Sequence, residues 1–136
     1  MAHALYGHDG PCENIHGHTY QLSITIAGCV PDKPGDPKDG MVVDFSEIKR
    51  LVNDNIIYVY DHALTLNKAS PQASIPGLSA NAGKVILMEK QPTCENILLE
   101  IVSKLKNIIP GNLHLARVKL EETPTSYAEW LGSENE

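Results

Sequence analysis

Aromatic side chains are scarce in this sequence of 136 residues: one Phe, one Trp and five Tyr. A small core with so few large rings implies that oligomerisation supplies part of the burial. Basic residues are also few, eleven against seventeen acidic, giving a net charge of −6. That balance lacks the electrostatic footprint of a nucleic-acid or anionic-membrane partner and leaves open only a local pocket for a small anion. No apolar run approaches the ~18 residues of a membrane span, and no secretory leader is visible. The three cysteines, Cys12, Cys29 and Cys94, are odd in number and irregular in spacing. They do not read as a disulfide framework, so a reducing cytoplasm is the expected compartment. Repeats and low-complexity tracts are absent, as are the G-x-G-x-x-G and P-loop signatures of nucleotide cofactors. The length fits one domain over residues 1–136.

What is present is patterned. Over residues 16–28, His16, His18, Tyr20, Leu22, Ile24 and Ile26 share one face of an alternating segment. This predicts a β-strand with one buried face. The proline- and glycine-rich stretch 30–40 predicts a loop, and Met41–Val43 a short returning strand. Asp44 and Glu47 have the spacing of a capping box, and Ile48, Leu51, Val52 and Ile56 continue it at helical period. Residues 69–84 are small and polar and read as an excursion loop; Val85–Met88 reads as a strand. Thr93 then caps the clearest helix, with an apolar stripe from Ile97 to Ile109 that Pro110-Gly111 ends. Ala116, Val118 and Leu120 alternate with Arg117 and Lys119 in a further strand, and Ser126–Leu131 reads as the last. The predicted class is α+β, an antiparallel sheet with two helices on one face.

Four of the six histidines fall within the first eighteen residues: His3, His8, His16 and His18. His16 and His18, at i and i+2 on a strand, project from one face, which suits two imidazoles on one metal. A third ligand is needed, with His3 and His8 as candidates and Cys12 as an alternative. Cys12 could equally be a nucleophile, a base or an inert small hydrophobe; nearby metal and imidazoles would favour its thiolate. Asp61-His62 could form an acid–base relay or merely cap a helix end. Glu122 falls on the apolar face of its strand, where a carboxylate needs a partner, either an internal cation or a ligand.

Together these pieces resemble the pterin-synthase family that contains 6-pyruvoyltetrahydropterin synthase and 6-carboxytetrahydropterin synthase. AHALYGHDGPCENIHGHTY resembles the family's zinc segment, GMVVDFSEIK its turn and helix start, and YDHALTLN its L-D-H-x-x-L-N. QPTCEN resembles P-T-x-E-N, and LEET with Tyr127 the late E-T…Y. Five such pieces in the right order are specific. The resemblance implies zinc held by His3, His16 and His18, with Cys12 as the base that removes a side-chain proton. It implies that Asp61 and His62 complete a relay and that Glu122 grips the pterin ring. Thr93 and Glu95 would lie beside that ring. It also implies the tunnelling fold, with subunits joined through sheet edges as a homohexamer and active sites between them. The C-x-x-x-H-G-H spacing from Cys12 resembles the bacterial queuosine-pathway branch. The implied reaction converts 7,8-dihydroneopterin triphosphate to 6-carboxy-5,6,7,8-tetrahydropterin, acetaldehyde and triphosphate.

Two departures from the family pattern set further expectations. The family has a strand before its first zinc histidine, here His3, so that strand is expected to be missing. The loop 69–84 stands where many relatives have a direct link, and could cover the pocket or contact a neighbour. The alternatives are the pyruvoyl synthase reaction, side-chain cleavage of dihydroneopterin, or a non-catalytic zinc- and pterin-binding subunit.

Overall fold

The computed structural model describes residues 1–134. Its strands are β1 (Ala2–His3), β2 (His16–Gly17), β3 (Gln21–Ala27), β4 (Leu64–Asn67), β5 (Val85–Met88), β6 (His114–Thr123) and β7 (Ser126–Leu131). Its helices are α1 (Phe45–Val52), α2 (Tyr58–Tyr60), α3 (Leu78–Ala82) and α4 (Cys94–Ile108). A π-helical segment, Asn53–Ile57, joins α1 to α2.

The alternating apolar residues of β6 make it the centre of an antiparallel sheet ordered β3-β6-β7. The α4 stripe of Ile97, Leu98, Ile101, Val102 and Leu105 joins Val118, Leu120, Ala128 and Trp130 of that sheet in one buried cluster. Ile56 and Tyr60 enter the same cluster from the other helical segment. Each large aliphatic side chain so buried stabilises the fold by about 1.5–3 kcal/mol. Thr93 caps α4 as expected, its hydroxyl accepting from the Asn96 amide.

Several expectations are corrected. The strand over 16–28 is not continuous. It breaks at residues 18–20, and its two parts join different sheets, β2 beside β1 and β3 beside β6. The second sheet, ordered β2-β1-β4-β5, is mixed rather than antiparallel, because β1–β4 and β4–β5 run parallel. Parallel neighbours need a crossover between them, and residues 68–84 supply the one from β4 to β5. That stretch is not plain loop: it holds a 3-10 turn at Pro71–Ser74 and the short α3.

Met41–Val43 forms no strand and runs as bends beside Ile24 and Ile26. The capping box is half closed. Asp44 accepts from the Ser46 amide at 2.7 Å, but the Glu47 carboxylate goes to Lys38 at 3.1 Å. In β6 a register shift against Thr25/Ile26 pairs Ile26 with Leu115, so Leu115, not Ala116, is buried with Val118 and Leu120.

Candidate active site

β1 and β2 set His3 directly opposite His16, and His18 follows two residues on. Ring centroids lie 4.6 Å apart for His3–His16, 4.9 Å for His16–His18 and 5.3 Å for His3–His18. One nitrogen from each ring lies within 4.8 Å of the others. Two of the rings are fixed from behind. His3 Nδ1 donates to the Pro92 carbonyl at 2.7 Å, and His16 Nδ1 to the Asn14 carbonyl at 2.7 Å. A ring nitrogen against a carbonyl must carry the proton, so both rings turn an Nε2 lone pair toward the cluster.

His3 is 2% exposed, and its Nε2 has no hydrogen-bond partner among the described residues. The nearest carboxylate oxygen, Glu122 Oε1, is 3.5 Å from it. A buried lone pair facing a carboxylate oxygen is an acceptor against an acceptor and leaves Nε2 without a donor, a costly arrangement unless a positive centre sits between them. Burial holds the His3 pKa below its ordinary value, outweighing the Pro92 hydrogen bond, so the ring is neutral and ready to ligate. Three imidazole nitrogens with room for a further ligand fit a catalytic metal site. The cluster therefore satisfies the donor chemistry that the sequence pattern implied.

His8, the other upstream candidate, stays outside. It sits on an exposed loop, accepting from the Gly10 amide at 2.9 Å. Cys12 lies half-buried on the 3-10 turn Pro11–Glu13 and is not part of the ligand cluster. It is near enough to add to the electrostatic field at Tyr20.

Glu122 has a partner that sequence reasoning missed. The Tyr20 hydroxyl donates to Glu122 Oε1 at 2.8 Å. Burial first, then this bond, raises the Tyr20 pKa well above its usual range, so Tyr20 stays a donor. The signal was available: Tyr20 shares the alternating face of His16 and His18, but nothing in the sequence pairs it with a residue 102 positions away. Lys119 and Arg117 are engaged by Glu121 and Glu129, as expected for the other face. Among the described residues, no hydrogen bond occupies Glu122 Oε2.

Asp61 and His62 do pair, Oδ1 to Nδ1 at 2.9 Å, with side chains 61% and 91% exposed. His62 takes a left-handed backbone, φ +56°. A cleft of about 380 Å³ connects this pair to the histidine cluster, lined by His18, Tyr20, Asp61, His62, Ile97 and Ile101 among others. On its other side His18 walls a groove of about 530 Å³ that contains Glu122. Thr93 and Glu95 line neither opening. The Thr93 hydroxyl caps its own helix, and Glu95 is exposed on the first turn. Cys94 is buried, donates to the Leu120 carbonyl and has its thiol pushed up to about 11 by burial, which makes it inert. Cys29 is exposed and joins nothing at the site.

Residues 1–133 match the family described as 6-pyruvoyl tetrahydropterin synthase. The chain belongs to that family. A relative named 6-carboxy-5,6,7,8-tetrahydropterin synthase, from Haemophilus influenzae, is 37% identical over 96% of this chain and 91% of its own length. The 6-pyruvoyl tetrahydropterin synthase of Caenorhabditis elegans superposes with a TM-score of 0.63 at 26% identity, over 96% of this chain and 87% of that one. An uncharacterized protein of Wolinella succinogenes shares the fold at a TM-score of 0.75 and 17% identity, over 96% of this chain and 92% of that one. The tunnelling-fold, α+β assignment of this family member therefore stands. No helix among its described residues is long and apolar enough to cross a membrane.

Proposed function

We propose that this protein is a zinc-dependent 6-carboxy-5,6,7,8-tetrahydropterin synthase of queuosine biosynthesis. Its substrate is 7,8-dihydroneopterin triphosphate, and its products are 6-carboxy-5,6,7,8-tetrahydropterin, acetaldehyde and triphosphate. The observation that carries the reading is the unpartnered, buried Nε2 of His3 converging with His16 and His18 beside Glu122. The Haemophilus relative's name and the C-x-x-x-H-G-H spacing after Cys12 favour the carboxy product over the pyruvoyl one.

His3, His16 and His18 would hold the ion, and zinc suits three neutral imidazoles with an open position. When bound, it supplies a Lewis acid for a substrate hydroxyl oxygen. Glu122, oriented through Oε1 by Tyr20, offers Oε2 to the adjacent N–H donors of the pterin ring. Cys12 removes the side-chain proton as a thiolate, and the Asp61–His62 pair receives or returns a proton from the opposite side. All three cysteines are free, in keeping with a thiolate base working in the cytoplasm.

Assembly as a homohexamer is part of this reading. β3 and β7 are the two edges of the main sheet. Phe45, Tyr58 and Tyr127 are 81%, 76% and 59% exposed, and the Asp61–His62 pair lies open. A neighbouring subunit would cover these and close the pocket.

The test is incubation of metal-replete protein with 7,8-dihydroneopterin triphosphate, with mass detection of the pterin and an acetaldehyde assay. We expect equimolar acetaldehyde and carboxytetrahydropterin. A pyruvoyl product, or a hydroxymethyl pterin from simple side-chain cleavage, would replace this reading with the corresponding alternative. Bound zinc and pterin without product would make the protein a binding subunit.

A further inference from the structure

The stretch 69–84 lines neither the cleft nor the groove, yet it ends on a residue in contact with the Asp61–His62 corner. α2 stops at Tyr60, and the last carbonyls of a helix lack intrahelical partners. Lys84 Nζ donates to two carbonyls there, those of Tyr58 and Asp61, the latter at 3.0 Å. Its charge also sits 4.7 Å from the Tyr58 ring centroid. A cation at a helix C-terminus is favourably placed. The backbone of the same residue closes the other side, because the Lys84 carbonyl accepts from the Leu64 amide at 2.9 Å. Lys84 thus takes the carbonyl before His62 and the amide two residues after it.

His62 and Ala63 lie between those two contacts, and His62 is the one non-glycine with positive φ among the described residues. A left-handed histidine is unfavourable and persists only where its surroundings over-determine it. Side-chain packing does not do so here, since the His62 side chain is 91% exposed. The backbone on either side must hold the turn. That turn aims the imidazole at Asp61 and the cleft. The crossover delivers the lysine. Gly83, at φ +74°, caps α3 and reverses the chain, and β5 then runs beside β4 with Val85 opposite Leu64.

We propose that Lys84 is a positioning residue for the Asp61–His62 pair, clasping the left-handed turn at both ends. The inference rests on the reading of His62 as a proton carrier in the proposed reaction. An ammonium this close to solvent adds little to global stability, so its effect should appear in turnover and in the local geometry of the turn.

Two variants test this. Lys84→Met keeps the stem length and removes the donors; Lys84→Arg keeps charge and donors. We expect Lys84→Met to lower kcat by about 10- to 100-fold, the scale of a small misplacement of a catalytic group. KM and metal content should stay within about twofold, and Lys84→Arg should recover most of the rate. In proton–nitrogen correlation spectra, the amides of Asp61, His62 and Ala63 should shift and broaden in Lys84→Met but not in Lys84→Arg. An unchanged kcat, a loss in KM alone or unmoved amides would overturn the proposal. So would a Lys84→Met without a dispersed spectrum, because a positioning residue leaves the fold intact. If the wild-type protein turns over no dihydroneopterin substrate, the functional reading fails, and the amide spectra alone still decide the clasp.

Discussion

The two halves of the site are held in opposite ways. The histidine cluster is fixed by burial and by hydrogen bonds behind the rings: His3 and His16 each spend Nδ1 on a backbone carbonyl, and Glu122 is steadied by Tyr20. The Asp61–His62 corner has exposed side chains and depends on a strained backbone turn, with the Lys84 ammonium on the Asp61 carbonyl. The difference follows the chemistry asked of each. A metal needs its ligands in place before it arrives, and leaving them without solvent is tolerable because the ion compensates. In the proposed reaction His62 exchanges a proton with substrate, and in the single chain it faces the cleft and is aimed by the main chain.

If the cluster is one unit organised around a metal, removing a central ligand should collapse it. We expect His16→Ala to lose metal and activity together, with the fold retained through the separate β3-β6-β7 core. Full zinc occupancy in that variant, read by elemental analysis, would sink the ligand assignment. The next effect marks where the cluster ends. Cys12 lies outside the ligand set, so Cys12→Ala should keep zinc and pterin affinity yet lose turnover by ~10²–10⁴, the range of a lost acid–base group. Near-normal turnover would refute its role as base, and loss of zinc from the folded variant would make it a ligand.

Glu122 joins the two kinds of support: Tyr20 holds one oxygen, and among the described residues no hydrogen bond occupies the other. Glu122→Gln keeps an oxygen for Tyr20 but presents an amide to donors that want a carboxylate. The mismatch is worth roughly 1.5–3 kcal/mol, about ten- to a hundredfold in pterin affinity. Calorimetric titration with a pterin measures it. A lower melting temperature with unchanged affinity would instead make the Tyr20–Glu122 bond purely structural.

The histidine half was far more legible in the sequence than the strained half. His16, His18 and Glu122 could be found because strand alternation places side chains on faces without any knowledge of partners. The same rule failed where the chain changed sheets. The alternation from His16 to Ile26 runs on past the break at residues 18–20, since periodicity records which side is buried and not which strand supplies the hydrogen bonds. The parallel pairing of β4 and β5 was hidden for a related reason. Four-residue strands carry no signal of direction, and the crossover between them looked like loop because its helices are short. Resemblance supplied the roles of His3, Cys12 and the Asp61–His62 pair. It could not supply the His62 backbone or the reach of Lys84, both of which depend on how residues far apart in sequence meet.

The smallest effect we expect is the one that isolates the strain, and it is read in stability. His62→Gly and His62→Ala both delete the imidazole and its contact with Asp61, so the two variants differ only by a Cβ at φ +56°. At an ordinary helical or extended position, glycine is the less stable of such a pair by roughly 0.5–1 kcal/mol, because it frees the unfolded chain. At a left-handed position the Cβ itself costs about 1–2 kcal/mol. The second term is larger, so the order should invert. We expect His62→Gly to be more stable than His62→Ala by about 0.5–1 kcal/mol, a melting difference of about 2–4 °C for a domain of this size. Alanine above glycine would mean that the turn relaxes once the imidazole is gone. The strain would then belong to the side-chain contact with Asp61 rather than to the backbone held around it.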